Sequence, residues 1–438
     1  MLCGGGNNGG DGYVLARLAH AAGLDVSVHP LTPVAALRGD ARVAADKLLA
    51  AGVQPQAWHG DVLKQAGLVV DALLGTGLDR EVQGELRTVI EAVNAAGLPV
   101  LALDIPSGLH ADTGQELGLA VAATATITFI GLKQGLFTGA GPSLTGTVFY
   151  SDLDVPHEIF ARVPPSSLRV TYATEKQALK RRSRTAHKGS FGHVLVIGGE
   201  AGYAGAARLA AEAAARTGAG LVSVATRAPQ AAAICMARPE LMVHAVEQVE
   251  HLSPLLDRAT CIAIGPGLGQ TEWSAQMLAL AVEARLPLIA DADALNLLAA
   301  DPVKRTDWIL TPHPGEAARL LGCATAEVQS DRFAAVHQLQ ERYGGIVVLK
   351  GSGSLIRDER QETVLCDAGN PGMASGGMGD VLTGIIAGLV AQGLMLSVAA
   401  RLGVCLHAAA ADAAARDGER GMLAGDLMPW LRKLANPQ

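Results

Sequence analysis

The chain repeats one local grammar many times: a short β-branched apolar run, a turn rich in glycine, then an alanine-rich stretch with helical spacing. Apolar runs of four to six residues alternating with helical stretches build βαβ units, which set parallel strands into one sheet and cover both its faces. In the first half, strands are expected at Leu68–Ala72, Val100–Asp104 and Thr126–Ile130, with helices at Leu15–Ala22 and Leu86–Ala95. In the second half, strands are expected at Val194–Ile197, Leu221–Ala225, Cys261–Ile264, Leu288–Ala290, Trp308–Leu310 and Ile346–Leu349. The helical patterns there are Ala204–Thr217, Ser274–Arg285, Gly315–Leu321 and Asp331–Arg342. Between the halves, Pro156, Pro164 and Pro165 limit regular structure and Lys180-Arg181-Arg182 suits a solvated surface. A seam is expected there, with residues 152–173 as a linker between domains 1–151 and 174–438.

Composition narrows the function classes. Aromatics are only 3% and Lys+Arg 35 against Asp+Glu 42 leave a net charge of −7, so neither a stacking platform nor a basic footprint for nucleic acid is present. Glycine, at 52 residues, favours tight turns and close approach of backbone to a ligand. The six cysteines form no CxxC pair and no cluster at metal spacing, which fits buried free thiols in a reducing compartment. No basic-then-apolar leader is visible, and the charge-free stretch Val381–Ala400 carries Thr383, Gln392, Ser397 and three glycines. It reads as buried helix, and the expectation is a cytoplasmic protein without a membrane partner, assembled as a homo-oligomer.

Three loops of the first half share one chemistry. Residues 2–12 read Leu-Cys-Gly-Gly-Gly-Asn-Asn-Gly-Gly-Asp-Gly and run directly into helix-like Tyr13–Ala22. Such a loop brings backbone N–H groups and a helix dipole to a phosphate, while Asn7, Asn8 and Asp11 offer oxygens to a ribose or a monovalent cation. Asp71 through Glu81 and Asp104-Ile-Pro-Ser107-Gly-Leu each follow an apolar strand. Successive parallel strands end at one edge, where open α/β sheets bind ligands. Asp71 and Asp104 can face ligand or cation there, or cap the next turn.

In the second half, Gly376-Gly-Met-Gly-Asp380 is the most informative motif. Amides at a helix start bind phosphate, and Asp380 can take a proton from a nearby hydroxyl. A small-molecule kinase needs both. Asp380 can also act as an N-cap, and the two roles are compatible. Lys350-Gly-Ser-Gly-Ser354 suits nucleotide phosphates or ribose, or a solvated turn. His313, fixed between two prolines, can contact a ligand or pack. Asp291, Asp293 and Asn296 can position magnesium or cap a helix.

Asn7-Asn8-Gly-Gly-Asp11-Gly, Gly75-Thr-Gly-Leu78 and Asp104-Ile-Pro-Ser-Gly-Leu109 resemble, in that order, the NAD(P)H-hydrate epimerase domain over about residues 1–150. The resemblance implies a Rossmann-like parallel sheet. Asn7, Asn8, Gly9, Gly10, Asp11, Gly75, Thr76, Gly77, Leu78, Asp79, Arg80 and Glu81 would contact hydrated dinucleotide, with Asp104 at its reactive ring. A potassium ion would lie at Asn8, Asp71 and Ser107. Lys133 is a further candidate charge partner. Only Met1–Cys3 precede Gly4, so a domain shortened at its start is expected, which leaves two outcomes open for epimerisation, retained or impaired.

From about Thr174 onward, six ordered motifs resemble the ADP-dependent NAD(P)H-hydrate dehydratase domain, which is ribokinase-like. They are His187-Lys-Gly, Gly202-Tyr-Ala-Gly-Ala206, Gly265-Pro-Gly-Leu-Gly269, Thr311-Pro-His-Pro-Gly-Glu316, Lys350 to Ser354 and Gly376 to Asp380. By position, Ala206, Gly269, His313 and Asp380 would contact the hydrated dinucleotide. Lys350, Gly351, Ser352, Gly353, Ser354 and Gly379 would hold ADP, the co-substrate, with magnesium. The expectation is repair of NADHX and NADPHX: epimerisation by the first domain, ADP-dependent dehydration of the S epimer by the second. Two rivals stand beside it: a ribokinase-like kinase of a vitamin precursor, and a first domain that only binds. A nicotinamide dehydrogenase is disfavoured, because no GxGxxG with a following ribose-binding acid occurs.

Overall fold

A computed structural model describes residues 1–436, which divide by contacts into a unit of residues 1–165 and a unit from Ser166 on. The first is a six-stranded parallel sheet of β1 (Leu2–Cys3), β2 (His29–Pro30), β3 (Val69–Ala72), β4 (Val100–Leu103), β5 (Ala125–Phe129) and β6 (Thr147–Ser151), in the order β2-β1-β3-β4-β5-β6. Helices α1 (Asn7–Ala21), α2 (Gly39–Ala50) and α3 (Gly84–Ala95) cover it, with one apolar core around Tyr13, Leu48 and Val70 and another around Val89, Ile90 and Val100. The two residues of β1 are enough to set register, Leu2 opposite Asp71 and Cys3 opposite Ala72, so the loops after β1 and β3 emerge side by side. Strand order reverses at this pair, the position where parallel sheets open a ligand crevice.

The second unit is a ten-stranded sheet: β7 (Leu168–Arg169), β8 (His193–Ile197), β9 (Leu221–Thr226), β10 (Met242–Ala245), β11 (Cys261–Ile264), β12 (Leu288–Ala290), β13 (Trp308–Leu310), β14 (Ile346–Leu349), β15 (Ser354–Arg357) and β16 (Thr363–Cys366). The order is β10-β9-β8-β11-β12-β13-β14-β15-β16-β7. It is parallel through β14 and antiparallel across β14-β15-β16. Its switch point lies between β8 and β11. Against this sheet pack the helices Ala204–Thr217, Met378–Ala391 and Leu396–Ala414. The first two approach so closely that a Cβ on Gly384 would collide with the carbonyl oxygen of Ala210.

The alternation of strand and helix is as the sequence indicates, with four differences. Helix α1 starts at Asn7, inside the glycine loop, not after it. Its glycines serve contact rather than turning: a Cβ on Gly9 would collide with the carbonyl oxygen of Gly4, and one on Gly10 would lie 3.1 Å from Cα of Ala41. Strand β4 ends at Leu103, and Asp104 sits in the left-handed region at φ 66°. The expected linker 152–173 is not one piece. Leu168–Arg169 pair with β16, and Thr171 caps a short helix by accepting from the Thr174 amide, so residues 166–173 belong to the second unit. Strands β2, β6, β7, β10, β15 and β16 have no counterpart in the expected strands; β6 and β10 are edge strands, where solvent-facing residues blur the apolar run, and β2 and β7 are only two residues long.

The stretch Val381–Ala400 forms two helices broken at Gly393, whose φ is +88°. By length and composition one helix, Leu396–Asp417, could cross a membrane, and 72% of its apolar window is buried in the unit. Four cysteines are buried, whereas Cys235 is exposed and Cys323 half-buried.

Candidate active sites on two sheet edges

In the first unit the expected residues gather where β1, β3 and β4 end. Asn8 is buried and donates from Nδ2 to the carbonyl of Leu74 at 2.8 Å, while its Oδ1 is buried without a partner. Gly75 lies against it, a Cβ there standing 3.1 Å from Cβ of Asn8. Asp71 is fully buried and accepts from Ser107 Oγ at 2.6 Å, the Ser107 amide at 2.8 Å and the Leu73 amide at 3.2 Å. Burial pushes its carboxyl up, and those three donors pull it back only in part. A buried carboxylate and an orphaned amide oxygen fit a weakly hydrated monovalent cation.

Asp104 is held by the Thr128 hydroxyl and the Phe129 amide, each at 3.1 Å, and by a short ion pair with Lys133. Both side chains keep 18% exposure, so the pair is accessible from the crevice. Burial and then the Asp104 charge raise Asp11, which places the two acids in one field. Asn7 and Asp11 line the open start of α1, which has no side-chain cap, so its first amides face outward. Thr76, Gly77, Asp79, Arg80 and Glu81 are exposed and Leu78 is half-buried.

In the second unit, Gly377 adopts φ +90° and starts the helix Met378–Ala391 without a side-chain cap, leaving its first amides free beside Asp380. Asp380 is half-buried, and burial, then the charge of Asp291, push it up to about 7 against the counter-pull of Lys350. Lys350 Nζ lies 2.7 Å from Asp291 Oδ1 and 3.7 Å from Glu316 Oε2. A Cβ on Gly379 would be 3.3 Å from that Nζ, so the Lys350 loop and the glycine turn meet. Gly351 (φ +141°) and Gly353 (φ +65°) shape the loop, and the buried Arg332 donates to the carbonyls of Leu349, Lys350 and Gly353. Ser352 is exposed and Ser354 half-buried.

His313 caps the helix Pro314–Leu321, its Nδ1 accepting from the Gly315 amide at 3.0 Å. Burial and then Lys350 lower its basicity, so the ring is neutral and half-exposed toward the site. Asp293 accepts from the Gly269 amide at 2.8 Å, which draws the β11 loop into the same cluster. At the switch point a Cβ on Gly267 would stand 3.2 Å from Cβ of Ala206. Asp291 and Asp293 are therefore taken by protein donors, and no group of three His, Cys, Asp or Glu suited to a metal occurs among the described residues. Glu316, which closes the Thr311-Pro-His-Pro-Gly motif, also belongs to the site, as do Thr383 and Arg332, to which no sequence motif points. Thr383 stands one helical turn beyond Asp380, a spacing that could have revealed it. A cavity of about 460 Å³ lies at the starts of β8, β9 and β10, lined by His193, His244 and Arg258 and, from the His187-Lys-Gly motif, by Gly189; the loops that carry Asp380, Lys350 and His313 do not reach it.

Fold and site together define a two-unit α/β protein: a Rossmann-like parallel sheet with an acid–lysine pair, then a ribokinase-like sheet with a carboxylate beside a glycine-built anion hole. A family model described as YjeF-related protein N-terminus matches residues 1–135, and one described as NAD(P)H-hydrate dehydratase matches residues 194–433. The bifunctional NAD(P)H-hydrate repair enzyme Nnr of Coxiella burnetii is 51% identical over 438 residues, covering 100% of this chain and 90% of that protein. The enzyme of the same name from Escherichia coli is 46% identical over 439 residues, covering 100% and 85%. Among solved structures, the ADP/ATP-dependent NAD(P)H-hydrate dehydratase of Bacillus subtilis co-crystallized with ATP/Mg2+ has TM-score 0.55 and 30% identity, covering 62% of this chain and 98% of that one. The chain belongs to the bifunctional NAD(P)H-hydrate repair enzyme family.

Proposed function

We propose that the protein repairs hydrated NADH and NADPH, the first unit interconverting the two epimers and the second dehydrating the S epimer with ADP. The observation that carries the second activity is Asp380 beside uncapped helix amides and the Lys350 ammonium. In this reading Ala206, Gly269 and His313 hold the dinucleotide, while Lys350 to Ser354 and Gly379 hold ADP. Asp380 takes the proton of the ring hydroxyl, whose oxygen attacks the terminal phosphorus of ADP, and AMP leaves. The carbon–oxygen bond then breaks with phosphate as leaving group, pushed by the ring nitrogen lone pair, and loss of a ring proton restores the double bond. Hydroxide leaves poorly and phosphate leaves well, which is why a kinase-like frame serves a dehydration. Magnesium would come with the nucleotide phosphates, which together with water supply most of its ligands.

For the first unit, Asp104 and Lys133 flank the reactive ring as proton acceptor and donor, and residues Asn7 to Asp11 and Gly75 to Glu81 hold the rest of the dinucleotide. Asn8, Asp71 and Ser107 hold potassium, whose charge would offset the buried Asp71 carboxylate.

The test is NADH absorbance recovered from a mixed-epimer NADHX sample with ADP, ATP or no nucleotide. Recovery of the whole sample with ADP is expected, with the R fraction slowed when choline replaces potassium. Asp380→Asn should abolish nucleotide-dependent recovery while dinucleotide binding persists. A stable phosphorylated product in place of free phosphate would instead identify a vitamin-precursor kinase.

A further inference from the structure

Asp291 is the most deeply buried carboxylate of the second unit's site, at 1% exposure. It ends β12 at the N-cap of the helix Ala292–Ala300, yet its side chain makes no capping hydrogen bond. Instead it accepts from Lys350 Nζ and from Thr383 Oγ1, each at 2.7 Å, on opposite oxygens. One donor comes from the loop after β14 and the other from the helix that carries Asp380, so a single carboxylate ties the two halves of the site together. The backbone is shaped to keep it there. Ala292 is held at φ +49°, and Gly265, at φ +121°, lies so close that a Cβ would collide with the Asp291 carbonyl oxygen.

Removing a carboxylate from water costs several kcal/mol unless it is paired, so a capping or purely packing role would be better met by a neutral residue. We propose that Asp291 is a positioning residue of the dehydratase site: it holds the Lys350 ammonium beside Gly379 and supplies the negative charge that keeps Asp380 basic enough to accept the substrate proton. The inference rests on the dehydratase reading above and deepens it.

The charges support this. Burial alone would push Asp291 up, but the Lys350 charge and the hydrogen bonds from Lys350, Thr383 and Thr311 outweigh it, so Asp291 stays ionised. Burial would likewise lower Lys350, and Asp291 and then Glu316 outweigh that. The groups facing Asp380 are Asp291 and Asp293 on one element, Glu316 on the next helix and Lys350 after β14. His313 and the buried His407, both facing Lys350, are held neutral by burial and by that charge. After burial, the Asp291 charge is the largest influence raising Asp380, ahead of the lowering by Lys350. Without it, the base would weaken toward an ordinary carboxylate.

The experiment is the pH dependence of kcat for ADP-dependent recovery of NADH from S-NADHX, in the full chain at saturating ADP. Asp291→Asn should move the acid limb, set near pH 7 by Asp380, downward by about one unit, the usual effect of one near charge. A folded variant whose limb is unmoved or moves upward overturns the proposal. Should the lone variant leave Lys350 unpaired and fail to fold, the neutral pair Asp291→Asn with Lys350→Met replaces it. Its thermal stability against pH, compared with the same pair carrying Asp380→Asn, reports the titration of Asp380 without turnover. That titration should lie below the one read in the same way from Lys350→Met alone, which keeps the Asp291 charge; one at or above it overturns the proposal. Loss of recovery in Asp380→Asn with an unmoved limb in Asp291→Asn would defeat this inference alone. Retained recovery in Asp380→Asn would defeat the dehydratase reading itself.

Discussion

At the scale of single residues, the two candidate sites rely on ionised groups held partly out of water, and Asp380 shows the consequence for stability. Its carboxyl, raised to about 7 by burial and by Asp291, holds its proton in the folded protein over a range where the unfolded chain has lost it. The folded state therefore binds more protons than the unfolded state between about pH 4 and pH 7, and stability falls as pH rises through that window. Asp380→Asn removes this loss. At pH 8 the variant should be more stable than the parent by at most about 4 kcal/mol, less in practice because the carboxyl keeps some contact with solvent and its charge favours the helix start. At pH 4 the two should converge. Urea unfolding at both values measures it; equal midpoints at pH 8 would mean that Asp380 ionises as an ordinary surface acid. The carboxylates at 71, 104 and 380 were legible in the sequence because each follows a short apolar run or a glycine cluster. Thr128, which donates to Asp104 from β5, was not, since it comes from another element.

Among elements, glycine does two different jobs that look alike in the sequence. Gly377 supplies a left-handed turn at φ +90°, a conformation that Asp104, a non-glycine, reaches at φ 66° only under the hold of Thr128, Phe129 and Lys133. Gly384 and Gly388 have no turn to make. They lie on the face of Met378–Ala391 that meets Ala204–Thr217, where an added Cβ would collide with the carbonyl oxygen of Ala210 in the first case and stand 2.7 Å from that of Ala214 in the second. Gly384→Ala must separate the helices, and overpacking of this kind costs about 1–3 kcal/mol. A lower thermal midpoint together with weakened ADP-dependent turnover is expected, because the displaced helix carries Asp380. An unchanged midpoint would show that the helix contact has room to spare.

For the molecule as a whole, the chain combines two units with separate cores and separate site residues. A substrate epimer that diffuses between sites needs no covalent link between them. Asp104→Asn should then convert only the S fraction of mixed NADHX rapidly, Asp380→Asn should convert none, and the two variants mixed in one vessel should recover the whole sample with ADP. Failure of the mixture, with each protein folded, would mean that the activities require one chain. The alternation of strands and helices, the two sheets and the glycine and carboxylate loops are written in the chain itself, because apolar period and backbone freedom are local properties. Folding had to settle which loops share an edge, that residues 166–173 join the second sheet, and that Asp291 faces Lys350 and Thr383 across 59 and 92 residues. Those outcomes depend on strand order and on pairing between distant segments, and the charge of a buried acid is set by whatever that pairing brings within reach.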